Sequence, residues 1–204
     1  MIVDAARSDP GGLSIITLGP LTNLALAVLT ALDIVPLISW VAMMSGTGHG
    51  PGNVTRAAEF NVWCDPEAAD VVFRSGLPLE MVRWDISRVY ATISEAESAE
   101  LRPQGPICEF CTHIQRVLLE FCREVTGLPG YDLPDPIAMA IAMDPTIAAD
   151  VRDPFVKVET SGARTMGETV VDHLGVGKQP GNVKVVVAAS RERFVEMLTT
   201  AMMP

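Results

Sequence analysis

Short runs of apolar residues alternate with helix-length segments through the first half of the chain. Residues 13–18 form one run, which ends at Gly19-Pro20, and residues 37–42 form a second. Because these runs contain few polar positions, they predict buried strands, and the segment between them predicts a helix with Pro20 in its first turn. Residues 79–82 are a third strand candidate. Apolar strands separated by helices predict an α/β fold with an open, mainly parallel sheet and helices on both faces.

The second half of the chain is richer in predicted helix. Apolar residues recur at helical spacing over residues 106–125 and predict one long helix there; they are Phe110, Ile114, Val117, Leu118 and Phe121. Further elements are expected as helices from Asp135-Pro136 and over residues 191–203, and as strands over residues 155–158 and 183–187. The sequence contains no internal repeat, low-complexity tract or linker, so we expect a single domain over residues 1–204.

The amino-terminal end of the pattern is unusual for this fold class. Residues 4–7 resemble the end of a helix, and the first buried strand follows almost at once. Doubly wound folds usually begin with a strand at the middle of the sheet, whose carboxyl end carries binding groups. We therefore expect a fold that is incomplete at its amino-terminal side. Exposed apolar sheet surface at that side would favour association.

Charge and hydrophobicity exclude two classes of partner. The 204 residues include 15 Lys and Arg against 25 Asp and Glu, a formal net charge of −10. Since an acidic surface without a basic cluster repels phosphate, we expect neither nucleic-acid binding nor binding to anionic membranes. Residues 21–44 contain a single charge, Asp33, but Pro36 interrupts them and favours a buried helix–strand pair over a membrane span.

The cysteines and the first residues point to a reducing compartment. Four cysteines in 204 residues are too few for a disulfide framework. The first seven residues lack the basic start and apolar stretch of a signal peptide, so we expect a cytoplasmic protein. Cys108, Cys111 and Cys122 raise the alternative of a zinc site, but the chain has no second Cys pair. Buried free thiols explain them better.

The densest polar cluster follows the second strand and a Gly-rich stretch, residues 45–53. Asn53, Glu59 and Asn61 offer amide and carboxylate groups that suit hydroxyls, and Phe60 offers a flat apolar face. This mixture is typical of sugar recognition. The alternative is a polar loop that satisfies its own backbone before a helix capped by Asp65. His49, in the same stretch, is either a surface residue or a group that approaches a ligand.

Several ordered motifs resemble the nucleoside hydrolase family, the inosine-uridine-preferring nucleoside N-ribohydrolases. They are residues 17–25 (TLGPLTNLA), Asn53 after the Gly-rich stretch, residues 58–61 (AEFN), residues 65–69 (DPEAA), residues 135–140 (DPIAMA), and residues 167–172 (GETVVD). The resemblance covers essentially the whole chain and implies hydrolysis of the N-glycosidic bond of ribonucleosides, assisted by bound Ca²⁺. It also implies a homo-oligomer.

The resemblance assigns roles to individual residues. Asn53, Glu59 and Asn61 would hold ribose hydroxyls, and Phe60 would lie against the sugar ring. Asp135 would be a Ca²⁺ ligand, together with the main-chain carbonyl of Leu18. These oxygen ligands suit a hard cation. An Asp-Pro pair is also a common helix start, so without the resemblance Asp135 would be interpreted as a cap.

Two departures from the family pattern concern the reaction itself. The amino-terminal motif Asp-x-Asp-x-Gly-x-Asp-Asp, which supplies the general base and most Ca²⁺ ligands in the family, is absent from this sequence. Pro134 stands where many members have a histidine that protonates the leaving base. No residue of this chain is therefore assigned as catalytic. Two hypotheses remain: a ribonucleoside hydrolase or a piece of one, and a non-catalytic nucleoside-binding or assembly protein that retains half of the ribose site.

Overall fold

The computed structural model describes residues 1–203 and divides them into two compact units. The first unit contains Met1–Asp85 and Asp150–Val187. The second contains Ile86–Ala149 and the carboxyl-terminal residues from Ala188 onward. Whether residues 1–204 fold as a single domain stays a prediction.

Helices and strands alternate along the described residues. The strands are β1 (Leu13–Thr17), β2 (Ile38–Met44), β3 (Leu79–Val82), β4 (Thr92–Ser94), β5 (Gly130–Asp132), β6 (Ala148–Arg152), β7 (Val156–Val158), β8 (Thr169–Val171) and β9 (Lys184–Ala189). The α-helices are α1 (Ile2–Ser8), α2 (Thr22–Thr30), α3 (Phe60–Cys64), α4 (Pro66–Phe73), α5 (Trp84–Tyr90), α6 (Glu95–Leu101), α7 (Pro106–Ile114), α8 (Arg116–Phe121), α9 (Pro134–Met143) and α10 (Arg191–Met202). Shorter 3-10 segments are Leu32–Leu37, Arg102–Gln104 and Pro145–Ile147, and Cys122–Thr126 is a π-helical turn.

The central sheet has five strands in the order β1-β2-β3-β9-β6. The pairs β1–β2, β2–β3 and β3–β9 are all parallel, with Val41 opposite Leu79 and Met81 opposite Val185. Two antiparallel ribbons, β4–β5 and β7–β8, complete the strands. This arrangement confirms the prediction of an α/β fold built on a mainly parallel sheet.

The core of the first unit forms because the middle strands carry apolar residues at consecutive positions. Val41, Met43 and Met81 are fully buried. Helices α2 and α4 lie against each other and bury side chains such as Leu24 and Phe73 in the same cluster. Removing this apolar surface from water is the main stabilising contribution to such a unit. The runs that predicted β2 and β3 are therefore found as buried strands.

Strand β1 differs from its prediction as a fully buried strand. It lies at one end of the strand order and, among the described strands, pairs only with β2. Ile15 and Ile16 are only partly buried as a result. The prediction that the sheet is incomplete on the amino-terminal side stays a prediction.

The long helix expected over residues 106–125 is present as α7, α8 and the π-helical turn, which follow one another with a break at Gln115. The apolar residues that predict it are not in the core. Phe110, Ile114, Val117 and Phe121 are exposed, whereas Cys108 and Cys122 on the same segment are buried. The spacing of apolar residues thus indicates the helix correctly but not the face that packs inward.

Local capping signals explain two further helix starts. Asp65 is the N-cap of α4, where its Oδ1 accepts a hydrogen bond from the Ala68 amide at 3.0 Å, and Pro66 is the first helical residue. Helix α9, expected to begin at Asp135-Pro136, begins one residue earlier at Pro134, with Leu133 as N-cap. Asp135 is therefore a residue of the first helical turn rather than the cap.

The structure shows the state of the cysteines and the length of the helices over residues 1–203. All four cysteines are free; Cys108 and Cys122 are buried, Cys111 is partly buried and Cys64 is exposed. No cluster of three or more His, Cys, Asp or Glu side chains suitable for a metal occurs in this range. None of the described helices is long and apolar enough to span a bilayer.

Candidate functional site

The polar cluster predicted from the sequence lies between the carboxyl end of β2 and the first turn of α3. Strand β2 ends at Met44, and residues 45–59 form the Gly-rich loop that leads to α3. Open parallel sheets bind ligands at the carboxyl ends of their strands, where loops rather than helices meet the sheet. The cluster formed by Asn53, Glu59, Phe60 and Asn61 is called the α3 cluster below.

Glu59 fixes the α3 cluster to the loop. Its side chain is 2% exposed, and it is the N-cap of α3. One carboxylate oxygen, Oε1, accepts a hydrogen bond from the Asn61 amide at 2.8 Å. The other, Oε2, accepts one from the Gly46 amide at 2.9 Å and a longer one from the Val62 amide at 3.4 Å. The carboxylate thus holds the start of the loop and the start of the helix in one fixed arrangement.

Asn61 is the second residue of α3, and its side chain faces the end of β2. Its Nδ2 donates a hydrogen bond to the Met44 main-chain oxygen at 3.1 Å and lies 3.3 Å from the Met44 sulfur. The residue is buried. Since one end of the amide is held by the strand, the direction of its oxygen is also determined.

Asn53 and Phe60 form the outer part of the cluster. The Asn53 Oδ1 accepts a hydrogen bond from the Phe60 amide at 2.8 Å, and the Asn53 amide donates to the Ala58 oxygen at 3.1 Å. The Phe60 ring is about half exposed. A β-carbon at Gly52 would overlap the main-chain atoms of Thr55 and Ala58. The tight turn that presents Asn53 therefore requires glycine at position 52.

Four of the six sequence-predicted residues thus lie at the start of α3 and the turn before it, where hydrogen bonds join Asn53 to Phe60 and Glu59 to Asn61. The group combines amides and a carboxylate with an exposed aromatic ring. Such groups hold vicinal hydroxyls through acceptors and donors, while the ring covers an apolar face of the ligand. The chemistry expected from the sequence is therefore preorganised by backbone contacts.

The loop is held at its other side by Thr169, which lies in the motif of residues 167–172 but to which the sequence alone assigns no contact with the loop. The Thr169 hydroxyl accepts a hydrogen bond from the Thr47 amide at 2.9 Å and donates one to the Thr47 oxygen at 2.6 Å. Gly46 adopts a positive φ of 72°, and a β-carbon there would contact Thr169. Thr169 is 122 residues from Thr47 in the chain. No local sequence signal identifies such a partner.

Arg83 is a buried cation beneath the same loop. It follows β3 directly, its side chain is 2% exposed, and its Nη2 lies 3.1 Å from Asp85 Oδ2. A β-carbon at Gly48 would overlap the guanidinium, so glycine allows the loop to lie on the arginine. The position of Arg83 at the end of an apolar strand was a signal available in the sequence, because ligand sites in these folds lie there.

His49 and His173 stack on each other beside this cation, with ring centroids 3.9 Å apart and an angle of 17° between the planes. Burial lowers the pKa of His173, and the nearby His49 and Arg83 lower it further because they disfavour a second positive charge. Of the two interpretations of His49, the structure places it on the surface of the loop, in contact with His173.

Leu18 follows β1 and is partly exposed. Two buried hydroxyls lie at the carboxyl ends of β1 and β2, those of Thr17 and Ser45, and neither has a hydrogen-bond partner among the described residues. A buried hydroxyl without a partner is unfavourable, so these positions are suited to a polar ligand.

Asp135, in the second unit, lies in the first turn of α9 directly after Pro134. It is partly buried, and burial raises the pKa of its carboxyl group. A raised pKa means that the surroundings disfavour the charged form of this carboxyl group. The structure places Asp135 in a different unit from the α3 cluster.

The described residues do not by themselves provide a calcium cage. Ca²⁺ takes six to eight oxygen ligands, usually several of them from carboxylates. Among residues 1–203, no group of three or more His, Cys, Asp or Glu side chains is arranged so that it could hold a metal ion. Asp135 and the Leu18 carbonyl are suitable oxygen donors, but they are too few to hold the ion.

Comparison with known proteins agrees with the sequence motifs. The profile of a family described as inosine-uridine preferring nucleoside hydrolase matches residues 1–196. The chain is 33% identical over 193 residues to the pyrimidine-specific ribonucleoside hydrolase RihB of Shigella flexneri, covering 95% of this chain and 61% of that protein. It is also 33% identical over 187 residues to the pyrimidine-specific ribonucleoside hydrolase RihA of Photobacterium profundum, covering 91% of this chain and 59% of that protein.

Solved structures resemble the chain over nearly all of its length. A plant nucleoside hydrolase, the PpNRh1 enzyme, matches with a TM-score of 0.91 and 27% identity, covering 99% of this chain and 65% of its own. A purine-preferring ribonucleoside hydrolase from Gardnerella vaginalis matches with a TM-score of 0.87 and 28% identity, covering 98% and 63%. The chain thus spans about six tenths of each of these two structures and of the RihB and RihA relatives above.

Proposed function

The chain belongs to the inosine-uridine preferring nucleoside hydrolase family, and on this basis we propose that it provides the ribose-binding part of a site that hydrolyses ribonucleosides. The reaction would cleave the N-glycosidic bond and yield ribose and the free base. The single observation that carries the proposal is the α3 cluster, in which the side chains of Asn53, Glu59 and Asn61 are each held in place by hydrogen bonds with main-chain atoms.

The cluster fits the demands of this chemistry. Loss of the base leaves positive charge on the sugar, and preorganised carboxylate and amide dipoles stabilise such charge without having to reorient. We infer that Asn53, Glu59 and Asn61 contact ribose hydroxyls and that the Phe60 ring lies against the sugar. Glu59 is buried and its carboxylate is held by main-chain amides. Its negative charge therefore stays at one fixed position in the site.

Calcium is the group that the family generally binds, and when bound it supplies a Lewis acid for the sugar hydroxyls and the attacking water. We propose Asp135 and the Leu18 carbonyl as this chain's contributions to its coordination. Because the described residues form no complete cage, no step of the reaction is assigned through the ion, and no residue is assigned as general base.

The preference for one base over another depends on whether that base must be protonated before it leaves. Pro134 has no proton to donate, so a base that needs protonation at this position would leave slowly. The relatives RihB and RihA are named as pyrimidine-specific. We therefore propose uridine as the first substrate to test, with inosine as the comparison.

A non-catalytic nucleoside-binding protein is the second candidate. It is favoured by the combination of an organised α3 cluster with too few acidic ligands for a calcium cage among residues 1–203. A protein of this kind would bind ribose or a nucleoside through Asn53, Glu59 and Asn61 without releasing the base.

The experiment that separates these candidates measures both binding and ribose release. Purified chain is incubated with Ca²⁺ and uridine, inosine or p-nitrophenyl β-D-ribofuranoside, whose leaving group needs no proton. Nucleoside binding is followed by calorimetry. Asn61→Ala is expected to abolish binding, whereas Glu67→Gln, at an exposed position on α4, is the matched control that retains it.

The outcomes are distinct. Release by the chain alone would exclude the non-catalytic candidate. Release only after addition of a polypeptide that carries the Asp-x-Asp-x-Gly-x-Asp-Asp motif would identify a split enzyme. Binding without release in either case would support the second candidate, and absence of nucleoside binding under all conditions would contradict both.

Two broader expectations accompany the proposed function. A cytoplasmic location is proposed from the sparse cysteines. Self-association is proposed because the resemblance implies an oligomer, and localisation and hydrodynamic measurements test the two separately.

A further inference from the structure

An open cavity lies at the edge of the central sheet opposite the α3 cluster. It has a volume of about 740 Å³, and its lining includes Leu79, the first residue of β3, and Lys184, the first residue of β9. The α3 cluster, in contrast, follows the carboxyl end of β2. Because β2, β3 and β9 run parallel, the two places are at opposite edges of the sheet. We call this space the amino-edge cavity.

The walls of the amino-edge cavity are joined by the side chain of Asn182. Its Nδ2 donates hydrogen bonds to the main-chain oxygens of Phe73, at the end of α4, and of Val156, in β7, at 2.9 and 3.0 Å. Its Oδ1 accepts one from the Val156 amide at 2.7 Å. A β-carbon at Gly181 would overlap Asp153, so the chain approaches that residue closely. The cavity is therefore preformed, which lowers the entropic cost of binding a ligand.

The charges around the cavity differ in sign from those of the chain as a whole. The chain has a net charge of −10. The cavity, however, is lined by three cations, Arg74, Lys157 and Lys184, and by one acid, Asp153. Two of the three lysines in the whole sequence are among them. Such a local excess of positive charge attracts an anion.

The two lysines are the cations that a ligand can reach. Arg74 is already paired with Asp70, at 3.2 Å. Lys157 and Lys184 are exposed, and neither forms a direct ion pair with any residue of the range 1–203. Glu80 of β3 is opposite Lys184 in the sheet and weakens its field without pairing with it. Both ammonium groups thus retain their hydrogen-bond donors for an anionic group.

Aromatic side chains supply the apolar part of the lining. Trp40 of β2 and Phe155, which precedes β7, both line the cavity and are partly exposed. Aromatic rings of this kind hold a second flat ring by offset stacking or by edge contacts. The amide of Gln179 adds a donor and an acceptor at the same cavity. An inorganic anion would leave the rings unused, and a neutral ring would leave the lysines unused.

We propose that the amino-edge cavity binds a small aromatic anion, that is, a flat ring that carries a carboxylate or phosphate group. The acidic group contacts Lys157 and Lys184, and the ring lies against Trp40 and Phe155. The volume is within the range of about 300–1,000 Å³ that is typical of small-molecule sites. Nucleotides and aromatic carboxylic acids share this chemistry. Because the cavity and the α3 cluster are at opposite edges of the sheet, binding here leaves the α3 cluster open.

Calorimetry of the purified full chain tests the proposal with two aromatic anions, adenosine monophosphate and indoleacetate. At least one is expected to bind with a dissociation constant below about 1 mM. Adenosine and indoleacetamide lack the acidic group, and inorganic phosphate and acetate lack the ring; each is expected to bind at least about 10-fold more weakly than its parent anion. Binding of the nucleotide alone identifies a nucleotide site, and binding of indoleacetate alone identifies a site for aromatic acids.

Substitutions locate the binding at the cavity. Lys157→Glu and Lys184→Glu are each expected to weaken binding at least about 10-fold, and Trp40→Leu about threefold or more. Arg164→Glu makes an equal charge change at an exposed residue outside the cavity and is the matched control that retains binding. Circular dichroism verifies that each variant is folded.

The ribose of the nucleotide could also occupy the α3 cluster, so every titration is repeated in Asn61→Ala. Binding at the amino-edge cavity is expected to be unchanged in this variant, whereas nucleoside binding at the α3 cluster is lost. The two proposals therefore fail separately.

Four results would each overturn the proposal. They are the absence of binding by both aromatic anions at about 1 mM, equally tight binding of the neutral analogues, equally tight binding of the ring-free acids, and unchanged binding in Lys157→Glu and Lys184→Glu.

Discussion

The buried carboxylate of Glu59 accepts a hydrogen bond from the main-chain amide of Gly46 at 2.9 Å, across 13 residues of loop. The same side chain caps α3 through the amides of Asn61 and Val62. One residue therefore determines the shape of the loop and the start of the helix together. Glu59 is a structural anchor of the α3 cluster as well as a proposed ligand of the sugar.

Replacement of this carboxylate by an amide tests the anchor role. In Glu59→Gln, an NH₂ group replaces an oxygen that accepts main-chain hydrogen bonds, and a buried amide is left without its partner. We expect the free energy of unfolding to fall by about 1–3 kcal/mol. Chemical denaturation followed by circular dichroism measures the change. Glu67→Gln is the matched control, since Glu67 is exposed, and equal effects of the two substitutions would contradict the anchor role.

Gly52 is expected to be indispensable for the turn that presents Asn53. A methyl group at position 52 would overlap the main chain of Thr55 and Ala58, so Gly52→Ala must displace the turn. We expect a loss of about 1–3 kcal/mol of stability, together with loss of nucleoside binding. Gly19→Ala is the control for stability, because a β-carbon there meets no atom within 4 Å. A Gly52→Ala protein with the same melting temperature as the wild type would show that the turn has room for a β-carbon at position 52.

Asp135 is expected to reduce stability at neutral pH. Burial raises the pKa of its carboxyl group, so the folded state binds the proton more tightly than the unfolded state. The resulting penalty is absent below the ordinary pKa of 3.8, grows as the pH rises from there to the folded-state pKa, and is constant above it.

We therefore expect Asp135→Asn to be more stable than the wild type at pH 7 and equal to it near pH 3. The measurement is urea denaturation of both proteins across this range. Greater stability of the wild type at pH 7 in the absence of calcium would contradict the interpretation that burial disfavours the charged form of Asp135.

His173 is expected to titrate below its ordinary pKa of 6.5. Burial and the neighbouring His49 and Arg83 disfavour its protonated form in the folded state, whereas the unfolded state is protonated normally. The free energy of unfolding should therefore be unaffected by His173 above pH 6.5 and should decrease as the pH is lowered through and below that value.

The titration is measured directly from the imidazole proton resonance of His173. The decrease in stability between pH 7 and pH 5 should become smaller in His173→Gln, which cannot be protonated. An imidazole that titrates at or above pH 6.5 would contradict the burial of this ring beside Arg83.

Local signals in the sequence determined much of the secondary structure. Asp65 and Pro66 predict the start of α4 because capping and the fixed φ of proline act within one turn. Residues 79–82 predict β3 because three of their four positions are apolar and they follow the turn residues Gly76 and Pro78. The α3 cluster was also predictable, since Asn53, Glu59 and Asn61 lie within nine residues and their contacts are made largely within that segment.

The tertiary structure alone decided which distant groups complete the site and which surfaces stay exposed. Thr169 and His173 hold the Gly-rich loop from more than 100 residues away, a relationship that no local pattern encodes. The spacing of Phe110, Ile114 and Val117 determined a helix, but not its orientation, because an apolar face can pack on the chain's own core or remain for another molecule. Helical periodicity arises from the backbone, whereas the choice of the buried face depends on all the surfaces that compete for it.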